Sequence, residues 1–208
     1  MISILIPTRD RVVHLNRCIN SINDNCLDKN NVEIILGVDN DDSNTIEYVK
    51  KLKISNVRCI FFDRLFYKNF HTYMNILSKN AKGELLWLLS DDCEIISKDW
   101  DKFLINYQDD FCYINVNVIG YENWKFSVVP IIHKKWLDIT GRISNNSQTD
   151  LWLGHIAEEL NFVTKLRDIS INIFLPANGN QHNSRDFYTI HKPEWEKDRD
   201  KIRKYLGK

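Results

Sequence analysis

Glycine is scarce in this chain, at 7 of 208 residues, where an average composition would supply roughly twice that. Phosphate cradles built from glycine-rich loops are therefore the first class to go. Neither G-x-G-x-x-G nor G-x-x-x-x-G-K-[ST] occurs, so the dinucleotide fingerprint and the P-loop are both absent. Proline numbers only 4, which leaves no proline-rich linker. An excess of either charge is missing too: 28 Lys and Arg face 28 Asp and Glu, which argues against a general nucleic-acid binder. The five cysteines (Cys18, Cys26, Cys59, Cys93 and Cys112) are odd in number and never spaced C-x-x-C. That pattern reads as free thiols in a reducing compartment and excludes a disulfide framework or zinc ribbon. No apolar run approaches 18 residues, and MISILIPTRDR turns charged too early for a signal peptide. The expectation is a cytoplasmic protein without a transmembrane segment.

What is present reads as α/β. Apolar runs at 2–6, 32–38, 56–62 and 84–89 have the length of buried strands. Between them lie segments with helical spacing: 10–24 behind an Asp10 cap, 45–52, and 69–83 stopped by Gly83. Strands that are apolar throughout and separated by helices imply a mostly parallel central sheet with helices on both faces. The second half is less regular. It reads as a helix at 99–107, strands at 113–121, 124–133 and 169–176, a helix at 149–161 and a charged terminal helix from 193. No repeat or linker divides the chain, so one domain spanning 1–208 is expected, with a ligand-binding half over 1–95 and an added half over 96–208.

In open parallel sheets ligands bind beyond the carboxyl ends of the strands. Three such ends are polar here: Pro7-Thr8-Arg9-Asp10, Asp39-Asn40-Asp41-Asp42 and Ser90-Asp91-Asp92. Adjacent carboxylates repel unless a cation or donors compensate, and hard oxygen ligands suit Mg²⁺ or Mn²⁺ completed by substrate phosphates. The alternative for Asp91 and Asp92 is an ordinary capping loop.

The order of these pieces resembles the family-2-like glycosyltransferases with the GT-A fold. ISILIPTRDRVVHLNRCINSI is similar to their opening "IPTxNR…L…CL.SI". VEIILGVDNDDSNT is similar to "EIIVVDDGSxDxT", and NILSKNAKGELLWLLSDDCEI to the strand leading into the D-x-D motif. The resemblance covers residues 1 to about 100 well and the remainder weakly. It implies a metal-dependent transferase acting on a nucleotide-sugar, most often a UDP-sugar, and an acceptor hydroxyl on a glycan or other molecule, with inversion at the anomeric carbon. Pro7, Thr8 and Arg9 would meet the nucleotide, and Asp39 the base or ribose. Asp92 would hold Mn²⁺ or Mg²⁺, with Asp91 near the ribose or a metal-bound water.

Two departures stand out. Ser90 occupies a place where the family often has an acid; in the other register Cys93 replaces the last position. The glycine of "DDGS" is missing as well. Within LDITGRISNNSQTDLWLGHIAEEL, Asp150 matches the family's base, and equally suits a plain helix cap. Glu158 and Glu159 read as the solvated face of that helix. In QHNSRDFYTIH, His182 matches a C-terminal histidine that some relatives bring to the metal or diphosphate, with His191 as its backup. Trp124 and Trp152 suit either acceptor stacking or the core. The competing readings are a degenerate glycosyltransferase-like binding module, and a sugar-1-phosphate nucleotidyltransferase, whose Gly-rich loop and signature PTRDRVV lacks.

Overall fold

The computed structural model of the chain describes residues 1–174 and 184–208, with the backbone alone for 184–191. Its strands are β1 (Ile2–Thr8), β2 (Val32–Asp39), β3 (Val57–Phe62), β4 (Leu85–Leu88), β5 (Cys93–Ile95), β6 (Tyr113–Val118), β7 (Ile131–His133) and β8 (Val163–Ile173). The helices are α1 (Val12–Asp24), α2 (Ser43–Lys51), α3 (Phe70–Lys79), α4 (Lys135–Thr140), α5 (Thr149–Glu159) and α6 (Ser184–Tyr205). All eight strands join one sheet in the order β3-β2-β1-β4-β7-β6-β8-β5. Pairing is parallel from β3 through β4 and again between β6 and β8, while β7 and β5 run against their neighbours.

The period-2 alternation of a strand explains how one apolar run serves two layers. Ile2, Ile4 and Ile6 of β1 and Trp87 of β4 pack with Leu15, Cys18, Ile19 and Ile22 of α1. Leu5, Ile35 and Leu86 point the other way, against Tyr73, Met74 and Leu77 of α3 and Trp152 and Ile156 of α5. The expected mostly parallel α/β sheet with helices on both faces is therefore present.

Local readings differ in instructive places. Asp10 does not cap α1. Its backbone stands at φ +52°, its N–H donates to Asp42 Oδ2 at 2.7 Å and its carboxylate accepts from Asn44, so it ties two loops together and the helix starts at Val12. Residues Trp100–Tyr107 wind as a 3-10 helix, whose Asp101 accepts from the backbone N–H groups of Leu27 and Asp28. The strand expected over 124–133 shrinks to Ile131–His133, since Pro130 has no N–H for the ladder and Ser127 is held by the Tyr113 hydroxyl. Strand β8 starts at Val163, six residues before the expected 169; its exposed Lys165, Arg167 and Asp168 hide the strand signal. The short β5 and α4 carry too few residues to show a period.

The chain adds β2 and β3 on one side of β1, then returns to place β4 on the other. The β1–β4 boundary is thus a topological switch point, where the loops leaving the carboxyl ends diverge and open a crevice.

Candidate active site

The crevice at that boundary is a cleft of about 950 Å³. Thr8 ends β1, and its hydroxyl donates to Asp91 Oδ2 at 2.7 Å across the switch point. Asp39 ends β2 and is buried. Tyr73 of α3 donates its hydroxyl to Asp39 Oδ1, and Arg9 reaches Asp39 Oδ2 at 3.0 Å while also binding Asp41. Each Asp39 oxygen retains a lone pair, since a carboxylate offers about four acceptor sites. Burial, and then the Asp39 charge, push the Tyr73 phenol up to about 12, so it stays a donor. Arg9, bound first to Asp41 and then Asp39, is held above its ordinary value and remains a cation.

The Ser90-Asp91-Asp92 turn links the central β4 to the distant β5. Cys93, fully buried, anchors its far end, and the Cys18 thiol reaches the Ser90 carbonyl at 3.6 Å. The two acids are held differently. Asp91 is bonded on both oxygens, by Thr8 and by Arg11 Nη1 at 2.9 Å. Burial raises its carboxyl pKa on balance, although Thr8 and Arg11 oppose the shift. Asp92 accepts from the Ser90 hydroxyl at 2.5 Å on Oδ1, and its Oδ2 faces Arg11 at 3.6 Å.

Asp150 arrives from the opposite half. Asn75 of α3 pins the approach loop, donating to the Ser144 carbonyl at 2.8 Å and accepting from the Ile143 N–H at 2.7 Å. The helix opens with Gln148 at its cap, which places Asp150 inside the first turn and sets aside the cap reading. Its half-buried carboxylate lines the cleft and has no side-chain partner among the described residues. Burial pushes its pKa up to about 6, against a smaller opposing pull from backbone N–H groups of the first turn.

A divalent cation finds one suitable donor here. Asp91 is already engaged, and among the described residues no group of three His, Cys, Asp or Glu side chains is placed to hold a metal. Asp92 offers Oδ2, which fits an ion that takes one or two carboxylates and fills its shell with substrate phosphates and water. His182 lies outside the described residues, and of His191 only the backbone is described. Trp152 is fully buried in the core, whereas Trp124 is 48% exposed at the cleft rim. Glu158 pairs with Lys125, and Glu159 with Arg199 and Arg203, on the solvated side of α5.

Pro7, Thr8, Arg9, Asp39, Asp91, Asp92 and Asp150 thus line one cleft. Sequence reasoning passed over Arg11, Tyr73, Arg64 and Lys68, which line it too. Arg11 sits two residues beyond Arg9 in a loop already singled out. Tyr73 falls within the segment of helical spacing at 69–83, where an aromatic reads as core, and nothing in the sequence marks Arg64 or Lys68.

Comparison with known proteins bears on this geometry. The model of the family described as "Glycosyl transferase family 2" matches residues 3–168. Among solved structures, S. aureus TarS 1-349 in complex with UDP-GlcNAc is similar at a TM-score of 0.68 and 15% identity, covering 93% of this chain and 65% of that one. The mannosyltransferase PcManGT from Pyrobaculum calidifontis, in complex with GDP-Man and Mn²⁺, is similar at a TM-score of 0.71 and 10% identity, covering 97% and 68%. The chain thus spans about two thirds of the length of these structures. No curated protein sequence matches it. Among the described residues no helix is long and apolar enough to cross a membrane.

Proposed function

Because the chain belongs to glycosyl transferase family 2, we propose that this cleft transfers a sugar from a nucleotide-sugar, a UDP-sugar first of all, to an acceptor hydroxyl with inversion. The observation that carries the reading is the convergence of three carboxylates of different condition in one cleft. Asp39 is paired yet able to accept another donor, Asp92 has an oxygen that faces Arg11 at 3.6 Å without a hydrogen bond, and Asp150 is half-buried without a side-chain partner among the described residues. Similarity to proteins solved with UDP-GlcNAc and with GDP-Man and Mn²⁺ supports the donor class.

Asp39 would accept from a base N–H or ribose hydroxyl, and Thr8 and Arg9 would border the nucleoside. The acceptor hydroxyl would lie against Asp150. A carboxylate with a pKa near 6 is ionised at neutral pH, yet basic enough to take a proton as the hydroxyl attacks. The acceptor oxygen bonds to the anomeric carbon as the bond to the diphosphate oxygen breaks on the opposite face. The electron pair leaves with the nucleoside diphosphate, and the proton ends on Asp150. Mn²⁺ or Mg²⁺ held through Asp92 would supply positive charge to the departing diphosphate.

The test is a screen of UDP- and GDP-sugars for hydrolysis and transfer with Mn²⁺, Mg²⁺ or chelator. Turnover with UDP-sugars that chelator abolishes and Asp92→Ala removes is the expected result. Undiminished turnover in chelator overturns metal dependence, and preference for GDP-sugars overturns the uridine assignment. Proton NMR of the product gives the anomeric configuration, and retention would overturn inversion.

A further inference from the structure

Two cations in the cleft are left over once its ion pairs are counted. Arg9 is occupied by Asp39 and Asp41, and Arg11 by Asp91 and Asp92. Arg64 and Lys68 also line the cleft, both are exposed, and neither joins an ion pair among the described residues. A cation on the wall of an apolar cleft, outside any ion pair, is placed for an anionic ligand.

Their position says which part of a ligand they meet. Both lie on the segment between β3 and α3, which lines the cleft with Arg64, Phe66, Tyr67 and Lys68. At its start, the Asp41 carboxyl is held below its ordinary range by Arg9 first and, more weakly, by the Arg64 charge, so Arg64 stands near the Arg9–Asp39–Asp41 cluster. At the other end, the phenol of Tyr67, beside Lys68, is raised by burial and also by the Asp150 charge, so this part of the segment faces Asp150. Arg64 and Lys68 thus share one cleft with Asp39, on which the nucleoside would rest, and with Asp150, at which the reacting carbon would lie. In a nucleotide-sugar the intervening group is the diphosphate.

The segment also has a shaped backbone. Phe66, between the two cations, stands at φ +58° and ψ +164°, a region that side-chain-bearing residues rarely enter, and the Arg64 guanidinium lies over its ring at 4.5 Å. Residues held in such conformations concentrate at ligand clamps. The Phe66 ring gives the Arg64 guanidinium a planar rest, and its N–H groups make no hydrogen bond among the described residues.

We propose that Arg64 and Lys68 form a cationic arm that grips the diphosphate of the donor, in the cleft that the Asp91-Asp92 turn also lines. The inference rests on the nucleotide-sugar reading and deepens it: diphosphate charge would be met by side chains from the β3–α3 segment as well as by a cation on Asp92. A charge-assisted bond to phosphate is stronger than a neutral one, so the loss should be large and confined to ligands that carry the diphosphate.

Calorimetric titration with UDP, UMP and uridine in Mn²⁺ tests it. The Arg64→Ala/Lys68→Ala double variant should bind UDP about tenfold or more weakly, with uridine changed less than about twofold. Arg64→Lys and Lys68→Arg should recover most of the loss. The salt dependence of UDP binding should also flatten in the double variant. Parallel losses for uridine and UDP would mean that the segment only shapes the nucleoside pocket, and overturn the proposal. So would unchanged UDP affinity in a variant whose wild-type parent binds it. A wild-type chain that binds neither UDP nor GDP overturns the nucleotide-sugar reading, and the inference with it.

Discussion

Glu33 and Asp150 stand at opposite ends of the same sheet, and they are held in opposite ways. Glu33 lies at the amino ends of the strands, buried, where Ser3 and the Lys82 N–H each donate to Oε1 at 2.5 Å and Arg58 Nε donates to Oε2 at 3.1 Å. Burial alone would raise its pKa, yet these donors outweigh it and hold the carboxyl below its ordinary value. Asp150, at the carboxyl ends, is desolvated with only the weaker pull of first-turn backbone N–H groups among the described residues, and rises to about 6. The lesson is that burial does not tell a structural acid from a reactive one; the count of compensating donors does. One end of the sheet is finished as structure, and the other is left incomplete for a ligand to complete.

Removing each acid should break this symmetry in opposite directions. Asp150→Asn should lower kcat by about 10²- to 10⁴-fold, the usual worth of a general base, measured as initial rate under saturating donor. The same change should raise stability at pH 8, since it deletes a charge held at a cost. A carboxyl whose folded pKa exceeds its unfolded value of 3.8 binds more protons when folded. Its stabilising contribution is therefore complete below about 4 and disappears as pH rises through about 6. Activity runs the other way, because the base must be ionised: kcat/KM should climb through about pH 6 and level off above it. An Asp150→Asn variant that keeps an acid limb near 6 would assign that limb to another group.

Glu33→Ala is the mirror experiment. It strips the acceptor from Arg58, Ser3 and the Lys82 N–H, and should cost about 3 kcal/mol in denaturant unfolding while leaving KM and kcat in place. With the folded pKa depressed, the Glu33 contribution is present above its unfolded value and is lost as pH falls through the folded one. The pH dependence of stability that Glu33→Ala removes should thus have the opposite slope from that removed by Asp150→Asn. A loss of catalysis in Glu33→Ala exceeding the loss of folded protein would erase the distinction between the two ends.

Gly83 sharpens the same contrast at smaller scale. It stands at the amino end of β4, where an added Cβ would lie 2.6 Å from the Met1 carbonyl oxygen and 2.7 Å from the Ser3 nitrogen. Both obstacles are backbone, and the Gly83 N–H donates to the Ser3 hydroxyl that in turn serves Glu33. Gly83→Ala should cost about 2 kcal/mol through overpacking, read as a lower Tm, with nucleotide affinity unchanged. Here the scarcity of glycine meets one position where backbone crowding requires it.

The contrast also marks how far sequence alone reaches. The four apolar runs of the first half declare a parallel sheet because each strand is buried on both faces. The polar ends of β1, β2 and β4 then fall on one edge by topology, which is why Thr8, Arg9, Asp39, Asp91 and Asp92 were legible as a set. Asp150 lies beyond the well-covered residues 1 to about 100, and its place depends on Asn75, a residue distant in sequence, which pins the loop before α5. Arg64 and Lys68 were invisible for a different reason. An exposed Arg or Lys in a polar segment has the same local pattern whether it faces solvent or a cleft, and only the path of the β3–α3 segment tells them apart.

Ser90 marks the smallest difference between the two ends, a single hydroxyl that does for Asp92 what Ser3 does for Glu33. Each serine donates at 2.5 Å to one carboxylate oxygen. For Glu33 the Arg58 Nε–H fills the second oxygen, while for Asp92 that oxygen faces only Arg11 among the described residues, at 3.6 Å. Ser90 therefore orients the Asp92 carboxylate without saturating it, a role that an acid at position 90 would fill poorly because two adjacent anions would have to share the turn with Asp91. Ser90→Ala removes one hydrogen bond from a half-buried site, worth about 1 kcal/mol, so UDP affinity in Mn²⁺ should fall several-fold with Tm nearly unchanged. A loss of about a hundredfold or more would place the Ser90 hydroxyl in contact with the ligand itself, and no change at all would mean that Asp92 is oriented by Arg11 alone.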